Sequence, residues 1–271
     1  MAKRVQSPSS INTYKQCPRK YYYQYIEKIE TKTNIHQLRG TIVHSVLDNF
    51  YNLNLPGPEE DYQKYFTESI QKLLVFYWKK AQQELDSLGL NSDQKLFYFE
   101  ETMFMVMNWV KFFLNDLTKE MSGNLPLKES FFKLTPIREQ KFQSESYSVQ
   151  GFIDAIHFYD SDIHIIDYKT NAKQEITEEQ KLQLGIYSLL YNEKYQKYPS
   201  KVGIFFLRNK LKLLDFNEEL INLAKEEIRL IHLNTLSDNI QDYPCKLSPL
   251  CKWSSGCCDF YKICNPHNQK S

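Results

Sequence analysis

The sequence predicts a mixed α/β chain with a helical insertion near residues 55–125. Apolar residues recur at helical spacing as far as about residue 121. After "SGNLP" (residues 122–126) the period changes to two. A helix, two short strands and another helix then precede a tail rich in cysteine.

Each element has its own signal. "SPSSINTYKQCPRKYYYQYIEKI" reads as a capped helix with Ser9 or Ser10 as N-cap after Pro8, interrupted by Pro18 next to Cys17. "RGTIVHSVLDNFYNL" places Ile42, Val43, Val46, Leu47 and Phe50 at helical spacing. "LPGPEED" is a break. Residues 59–88 and 93–121 follow as two long amphipathic helices separated by "SLGLNSD", and their apolar and aromatic stripes read as packing faces. Residues 131–142, 147–159 and 162–169 read as an antiparallel meander. A helix over 178–196, strands near 201–208 and 211–215, and a helix over 217–236 complete the layout.

A chain of 271 residues can bury a substantial core, and its 42% hydrophobic and 25% charged residues are ordinary for a soluble globular protein. A net charge of +1 excludes gripping a polyanion by bulk charge. A local patch is the alternative. Residues 1–40 carry eight Lys/Arg against two Glu, which is either a nucleic-acid contact or a solvated basic face. "MAKRVQSPSS" lacks the apolar run of a signal peptide, and no stretch has the ~18 apolar residues of a membrane span. The chain therefore reads as cytoplasmic, where clustered cysteines more often bind metal than form disulfides. Five of the six cysteines lie between Cys245 and Cys264, and the sixth is Cys17.

The charged residues within the meander point to chemistry. Side chains two apart share a strand face. Asp154 is thereby grouped with Phe152, Ile156 and Phe158, and Asp167 and Lys169 with Ile163 and Ile165. Burying such charges costs several kcal/mol each unless they are paired or bind a cation. The bland alternative puts both carboxylates at wet strand ends. Two oxygen ligands beside a lysine suit Mg²⁺ or Mn²⁺ acting on a phosphate. Gly40 and His44, and likewise Gln183 and Tyr187, stand at i, i+4 on helices. Taken alone, His44 reads as a core histidine and Gln183/Tyr187 as a helix rim.

Together these residues resemble the PD-(D/E)XK nuclease superfamily, in particular its RecB-like branch, which includes the AddB nuclease domain and the CRISPR-adaptation nucleases. "GTIVH", "GFIDAI", "IIDYKT" and "QLGIY" occur in family order, and the resemblance covers roughly residues 7–264. It implies a restriction-endonuclease-like mixed central sheet flanked by helices. It also implies a divalent-metal-dependent DNA nuclease, more specifically an exonuclease acting on single strands or duplex ends. His44, Asp154, Asp167 and the main-chain carbonyl of Tyr168 would bind Mg²⁺ or Mn²⁺, and Lys169 would be the catalytic lysine. Gln183 and Tyr187 match an element that contacts DNA and organises the site, and Glu139 falls where relatives often carry a further acidic residue.

Iron–sulfur members of this branch staple one early cysteine to three late ones. That implies a [4Fe–4S] cluster on Cys17, Cys251, Cys258 and Cys264, uniting residues 1–30 with 245–264 within one nuclease domain over 1–271. The spacing departs from the family pattern by an extra "SSGC", so Cys257 rivals Cys258 and Cys245 rivals Cys251, and zinc is the other candidate for four thiolates. No phosphate-binding loop is present, so any unwinding would come from a helicase partner, and an integrase-type partner is the other expectation. Two rival readings remain: an idle DNA-binding or scaffolding subunit of a recombination or CRISPR-adaptation complex, and an electron carrier.

Overall fold

The computed structural model describes residues 4–57, 59–254 and 256–264. The outer ends of the expected 1–271 domain, and Ser255 of the "SSGC" segment, lie outside the described residues. Helix α1 (Pro8–Gln16) is capped by Ser7, earlier than Ser9 or Ser10. The Ser7 hydroxyl accepts from the Ser10 N–H at 3.1 Å and the Ser10 hydroxyl accepts from the Ser7 N–H at 2.8 Å. Pro8 occupies the first helical position, where its missing N–H costs nothing. Pro18 forces Cys17 into extended backbone, and the chain restarts as α2 (Pro18–Tyr21), continuing into a π-helical turn at Tyr22–Ile26.

Helix α3 (Ile35–Phe50) begins before Arg39 because Asn34 caps it, with Gln37 completing the capping box. The expected helix over 59–88 is two, α4 (Tyr62–Lys80) and α5 (Gln82–Ser87), broken at Ala81. The long α6 (Ser92–Ser122) follows. Residues 127–134 form helix α7 (Leu127–Leu134), not the start of a strand: Phe131 and Leu134, three apart, both bury toward the core. The sheet comprises β1 (Ile137–Ser144), β2 (Val149–Tyr159), β3 (Asp162–Lys169), β4 (Lys201–Phe206) and β5 (Leu211–Asp215). Helix α8 (Glu178–Tyr195) lies between β3 and β4, and α9 (Glu218–Asn234) follows β5. The tail adds β6 (Lys252–Trp253), β7 (Gly256–Cys257) and α10 (Tyr261–Cys264).

The strands lie in sequence order and are antiparallel except for β3 and β4, which run parallel. A parallel pair needs a crossover, and α8 supplies it. That crossover lays α8 over the strand carrying Asp167. Gly185 lets α8 meet α9 closely, since a Cβ there would lie 2.5 Å from the Leu220 carbonyl oxygen.

Two apolar cores cover the two faces of the sheet. One joins Ile11, the Tyr21–Tyr23 run, α8, α9 and Phe260 to Ile153, Ile165 and Ile204. The other joins α3, α4, α6 and α7 to Ala155, Ile166, Tyr168 and Phe205. The result is the three-layer, helix-flanked mixed sheet of a restriction-endonuclease-like fold. Among the described residues no helix is long and apolar enough to cross a membrane.

The β1–β2 ribbon holds the irregularity that matters most. Arg138 pairs with Ala155 and Gln140 with Ile153, so the register is unchanged across a gap in which Glu139 faces an equally unpaired Asp154. Glu139 adopts φ +44°, a left-handed conformation uncommon for a side chain of its size. The alternation slips by one residue at this point. Ile153 and Ile156, three apart, face the same core, while Ala155 faces the other. The grouping of Asp154 with Phe152, Ile156 and Phe158 is therefore wrong. Strict alternation fails where the strand is bulged, and Phe152 is exposed whereas Ile156 is buried.

Candidate active site and cysteine subregion

The bulge presents two carboxylates to helix α3. His44 Nδ1 lies 3.0 Å from Glu139 Oε1 and 3.5 Å from Asp154 Oδ1. One ligand atom from each of His44, Glu139 and Asp154 falls within 4.8 Å of the others, a spacing that a single cation can bridge. The second Asp154 oxygen accepts the Tyr168 backbone N–H at 2.7 Å, which fixes the carboxylate rotamer. Tyr168 itself buries its side chain on the α6 side, edge-on to His44 and tilted against Phe205.

Asp167 is 2% exposed and sits on the α8 face with Ile163 and Ile165, as strand alternation predicts. Its Oδ1 accepts from Gln183 Nε2 at 2.7 Å, and its Oδ2 stands 2.8 Å from Lys169 Nζ. That contact lies off the hydrogen-bonding direction, so Oδ2 is a buried carboxylate oxygen without a hydrogen-bond partner among the described residues. The Lys169 ammonium is the charge that offsets the burial of this oxygen. The donor set of an imidazole and carboxylates at His44, Glu139 and Asp154 fits a divalent ion such as Mg²⁺ or Mn²⁺.

One turn along α8, Gln183 Nε2 also donates to the Tyr187 hydroxyl at 2.7 Å. Tyr187 packs its ring where Gly151 has no side chain; a Cβ there would lie 2.9 Å from the ring. The crossover, the glycine and the i, i+4 spacing thus place Gln183 and Tyr187 over Asp167. A groove lined by Gly40, Thr41, His44, Ser45, Asp48 and Glu139 opens beside the cluster.

Electrostatics distinguishes the groups. Burial, then the nearby Asp167, pushes the Asp154 carboxyl up to about 7, against the pull of His44 and the Tyr168 N–H. Burial alone would lower His44. The Glu139 hydrogen bond and the charges of Asp154, Glu139 and Asp167 outweigh it and raise the imidazole to about 9. Burial holds Tyr187 well above its ordinary value, with Asp167 and Asp154 acting in the same direction, so it remains a neutral phenol.

The six cysteines also converge. All of them line one cleft of about 460 Å³ between the first helices and the tail. Cys251 and Cys264 are buried, Cys17, Cys245 and Cys258 half-buried, and Cys257 exposed. Gly256 and Cys257 form β7 against β6, and the base of this pair is closed by the Cys258 N–H donating to the Cys251 carbonyl at 3.0 Å. Cys251 and Cys258 are thereby neighbours despite the longer spacing, while Cys257, paired with Lys252 along the ladder, is an exposed member of the cleft wall. Cys245 Sγ lies 3.5 Å from Cys264 Sγ, so a fifth thiol borders the set. Burial, and then the Cys264 contact, pushes the Cys245 thiol up to about 12, and burial also raises Cys258 and Cys264.

The head and tail meet through more than sulfur. Tyr243 is fully buried against Tyr21, with near-parallel rings at 6.1 Å, and against Tyr14 and Tyr22. Arg19 Nε donates to the Tyr243 carbonyl at 2.7 Å. Much of the basic charge in residues 1–40 is engaged internally: Arg4 pairs with Asp238, Lys15 with Glu227 and Arg39 with Glu101. Sequence reasoning overlooked Arg39, Glu101 and Arg208 as a group. Arg39 next to Gly40 on an apolar helix is the one signal that could have flagged it.

Comparison with known proteins places this geometry. Residues 6–265 match the model of the PD-(D/E)XK nuclease superfamily. One of the subunits of the ATP-dependent helicase/deoxyribonuclease of Carboxydothermus hydrogenoformans is 25% identical over 251 residues, covering 82% of this chain. The chain spans about a fifth of that relative, since 22% of its length is matched. The crystal structure of an exonuclease candidate from Eubacterium rectale superposes with a TM-score of 0.55 at 10% identity. The superposition covers 99% of this chain and 89% of that one, a likeness of fold.

Proposed function

The chain belongs to the PD-(D/E)XK nuclease superfamily, and from that premise we propose that it is a divalent-metal-dependent DNA exonuclease acting on single strands or duplex ends. The observation that carries the proposal is the His44–Glu139–Asp154 group, close enough for one cation, beside Asp167, whose charge acts on His44 and Asp154 and whose carboxylate meets Lys169 and Gln183. His44, Asp154, Asp167 and the Tyr168 carbonyl would hold Mg²⁺ or Mn²⁺, with Glu139 as a further carboxylate. When bound, the ion neutralises charge on the phosphate and acidifies a water.

The chain's own residues do the positioning. The Tyr168 N–H and Gln183 Nε2 each fix one carboxylate rotamer, and Glu139 sets the plane of the His44 ring. The Lys169 ammonium, oriented by Asp167, would meet the charge developing on the scissile phosphate. Tyr187, whose burial favours the protonated phenol, can donate its hydroxyl proton to a phosphate oxygen. An idle scaffold would not need these groups together, and an electron carrier has no use for them. The test is digestion of end-labelled single- and double-stranded DNA with Mg²⁺, Mn²⁺ or EDTA. Shortening from the ends with metal and none with EDTA is expected; intact DNA under every condition would refute the reading.

We further propose that Cys17, Cys251, Cys258 and Cys264 hold a structural [4Fe–4S] cluster that staples residues 1–30 to 245–264. Four thiolates are what such a cluster requires, and the cleft has room for more than a single ion. Iron content after anaerobic purification checks this. Alanine at Cys17, Cys251, Cys258 or Cys264 is expected to remove most of the iron, and alanine at Cys257 or Cys245 to retain it. Loss on Cys245→Ala with retention on Cys258→Ala would reassign the set, and a colourless zinc-loaded protein would discard the cluster. The similarity to part of a helicase/deoxyribonuclease supports a helicase partner.

A further inference from the structure

The end of β3 is gripped from the helical layer by a chain of ionic and backbone contacts. Arg208 follows β4 and its guanidinium forks onto Glu101 of α6, at 2.7 Å to Oε1 and 3.0 Å to Oε2. Glu101 Oε2 also meets Arg39 of α3 at 3.1 Å, and Arg39 Nε donates to the Thr102 hydroxyl at 3.0 Å. The remaining Arg208 donor, Nε, reaches the Thr170 carbonyl at 3.1 Å, and the Leu207 N–H donates to the Lys169 carbonyl at 2.9 Å. Lys169, the last residue of β3, and Thr170 after it therefore hang from the 207–208 turn. Asn108, seven residues beyond Glu101 on α6, fixes the same turn through the carbonyls of Leu207 and Asn209, at 3.0 and 2.9 Å.

We propose that Glu101, acting through Arg208, is a positioning residue that holds the Lys169–Thr170 backbone so that the Lys169 ammonium stays on Asp167. The inference rests on the nuclease reading for its rate effect. Bidentate contact is what makes the grip directional. A carboxylate binding both terminal nitrogens fixes the guanidinium plane, and the plane aims Nε at one carbonyl. Without that plane the Arg208 side chain, about a quarter exposed, has no reason to hold its third donor on Thr170. Helix α6 would thus set the site's geometry without touching it, and small displacements at a reacting group are costly to rate.

Arg39 is 2% exposed, and its second terminal nitrogen has no hydrogen-bond partner among the described residues. A change at Glu101 therefore strands a buried charge and risks unfolding. The decisive variant is Arg208→Lys, which keeps the charge and leaves the Arg39–Glu101 pair intact but loses the fork and the Nε donor. Glu101→Gln is the companion.

For Arg208→Lys, kcat on single-stranded DNA is expected to fall about 10- to 100-fold, as for a reacting group displaced by roughly 1 Å. KM and melting temperature should stay near wild type. In parallel, the metal-free protein is labelled with an amine-reactive reagent and Lys169 modification is followed by mass spectrometry. Faster labelling than wild type is expected once the ammonium is released from Asp167. A purely structural or charge role predicts rescue by lysine, so kcat within twofold of an active wild type overturns the proposal. Unchanged labelling overturns it as well. A wild type that leaves DNA intact strikes the nuclease reading, and the labelling result still decides the positional link.

Discussion

Asp154→Asn and Lys169→Met are each expected to lower the rate of DNA hydrolysis about 10³-fold, the scale seen when one preorganised charge-stabilising group is removed. The two should differ in binding. Asp154 supplies a ligand atom within the His44–Glu139–Asp154 group, so its amide variant should lose Mn²⁺ affinity as well as rate. Lys169 is outside that group and stands 2.8 Å from Asp167 Oδ2, so its loss should leave Mn²⁺ binding intact or tighter, because a competing cation has gone. Rates on labelled DNA at saturating metal, with Mn²⁺ titrations followed by electron paramagnetic resonance, separate the two roles. Equal activity in wild type and both variants would remove these residues from the mechanism.

The affinity for metal is expected to rise steeply with pH. In the metal-free protein His44 is held up to about 9 and Asp154 up to about 7, so near pH 6 both carry protons that an incoming cation must displace. Between pH 7 and 9 the proton on His44 is the one that competes. Each unit of pH is then worth about tenfold in the dissociation constant, or about 100-fold across the window. Below pH 7 the slope should steepen as Asp154 also protonates. Calorimetric Mn²⁺ titrations at several pH values check this. His44→Asn should flatten the dependence above pH 7, and a pH-independent constant in wild type would refute the assignment.

Much of this site was legible in the sequence, and for identifiable reasons. Asp167 and Lys169 obey simple alternation, and Gln183 and Tyr187 obey helical spacing, so their convergence follows from local periodicity once α8 crosses over β3. Four misreadings have physical causes. The stretch around Phe131 mixes apolar and polar residues in a way that also fits a strand, and α7 emerges only when the core demands Phe131 and Leu134 on one side. Pro8 suits the first helical position and so makes Ser7 the better cap. The break at Ala81 carries no Gly or Pro to announce it. Alternation puts Asp154 on the correct strand but groups it with Ile156 and Phe158, because a bulge is invisible to any period. The Glu101–Arg208 pair, more than a hundred residues apart in sequence, carries no signal at all.

The paired irregularity at Glu139 and Asp154 has a consequence for how the protein tolerates its own active site. One residue is dropped from the ladder on each strand, so the two slips compensate as paired frameshifts would and the ribbon stays in register on both sides. Before the slip odd-numbered residues, Val149 and Ile153, face the α8 layer; after it the even-numbered Ile156 does, and Ala155 serves the opposite layer. The carboxylates occupy the seam between these two regimes, where neither oil-filled half asks for an apolar side chain. The charge cluster is therefore not carved out of either core. It is accommodated at a dislocation in the sheet, and removing a residue from one strand alone would move the dislocation and turn half the ribbon inside out.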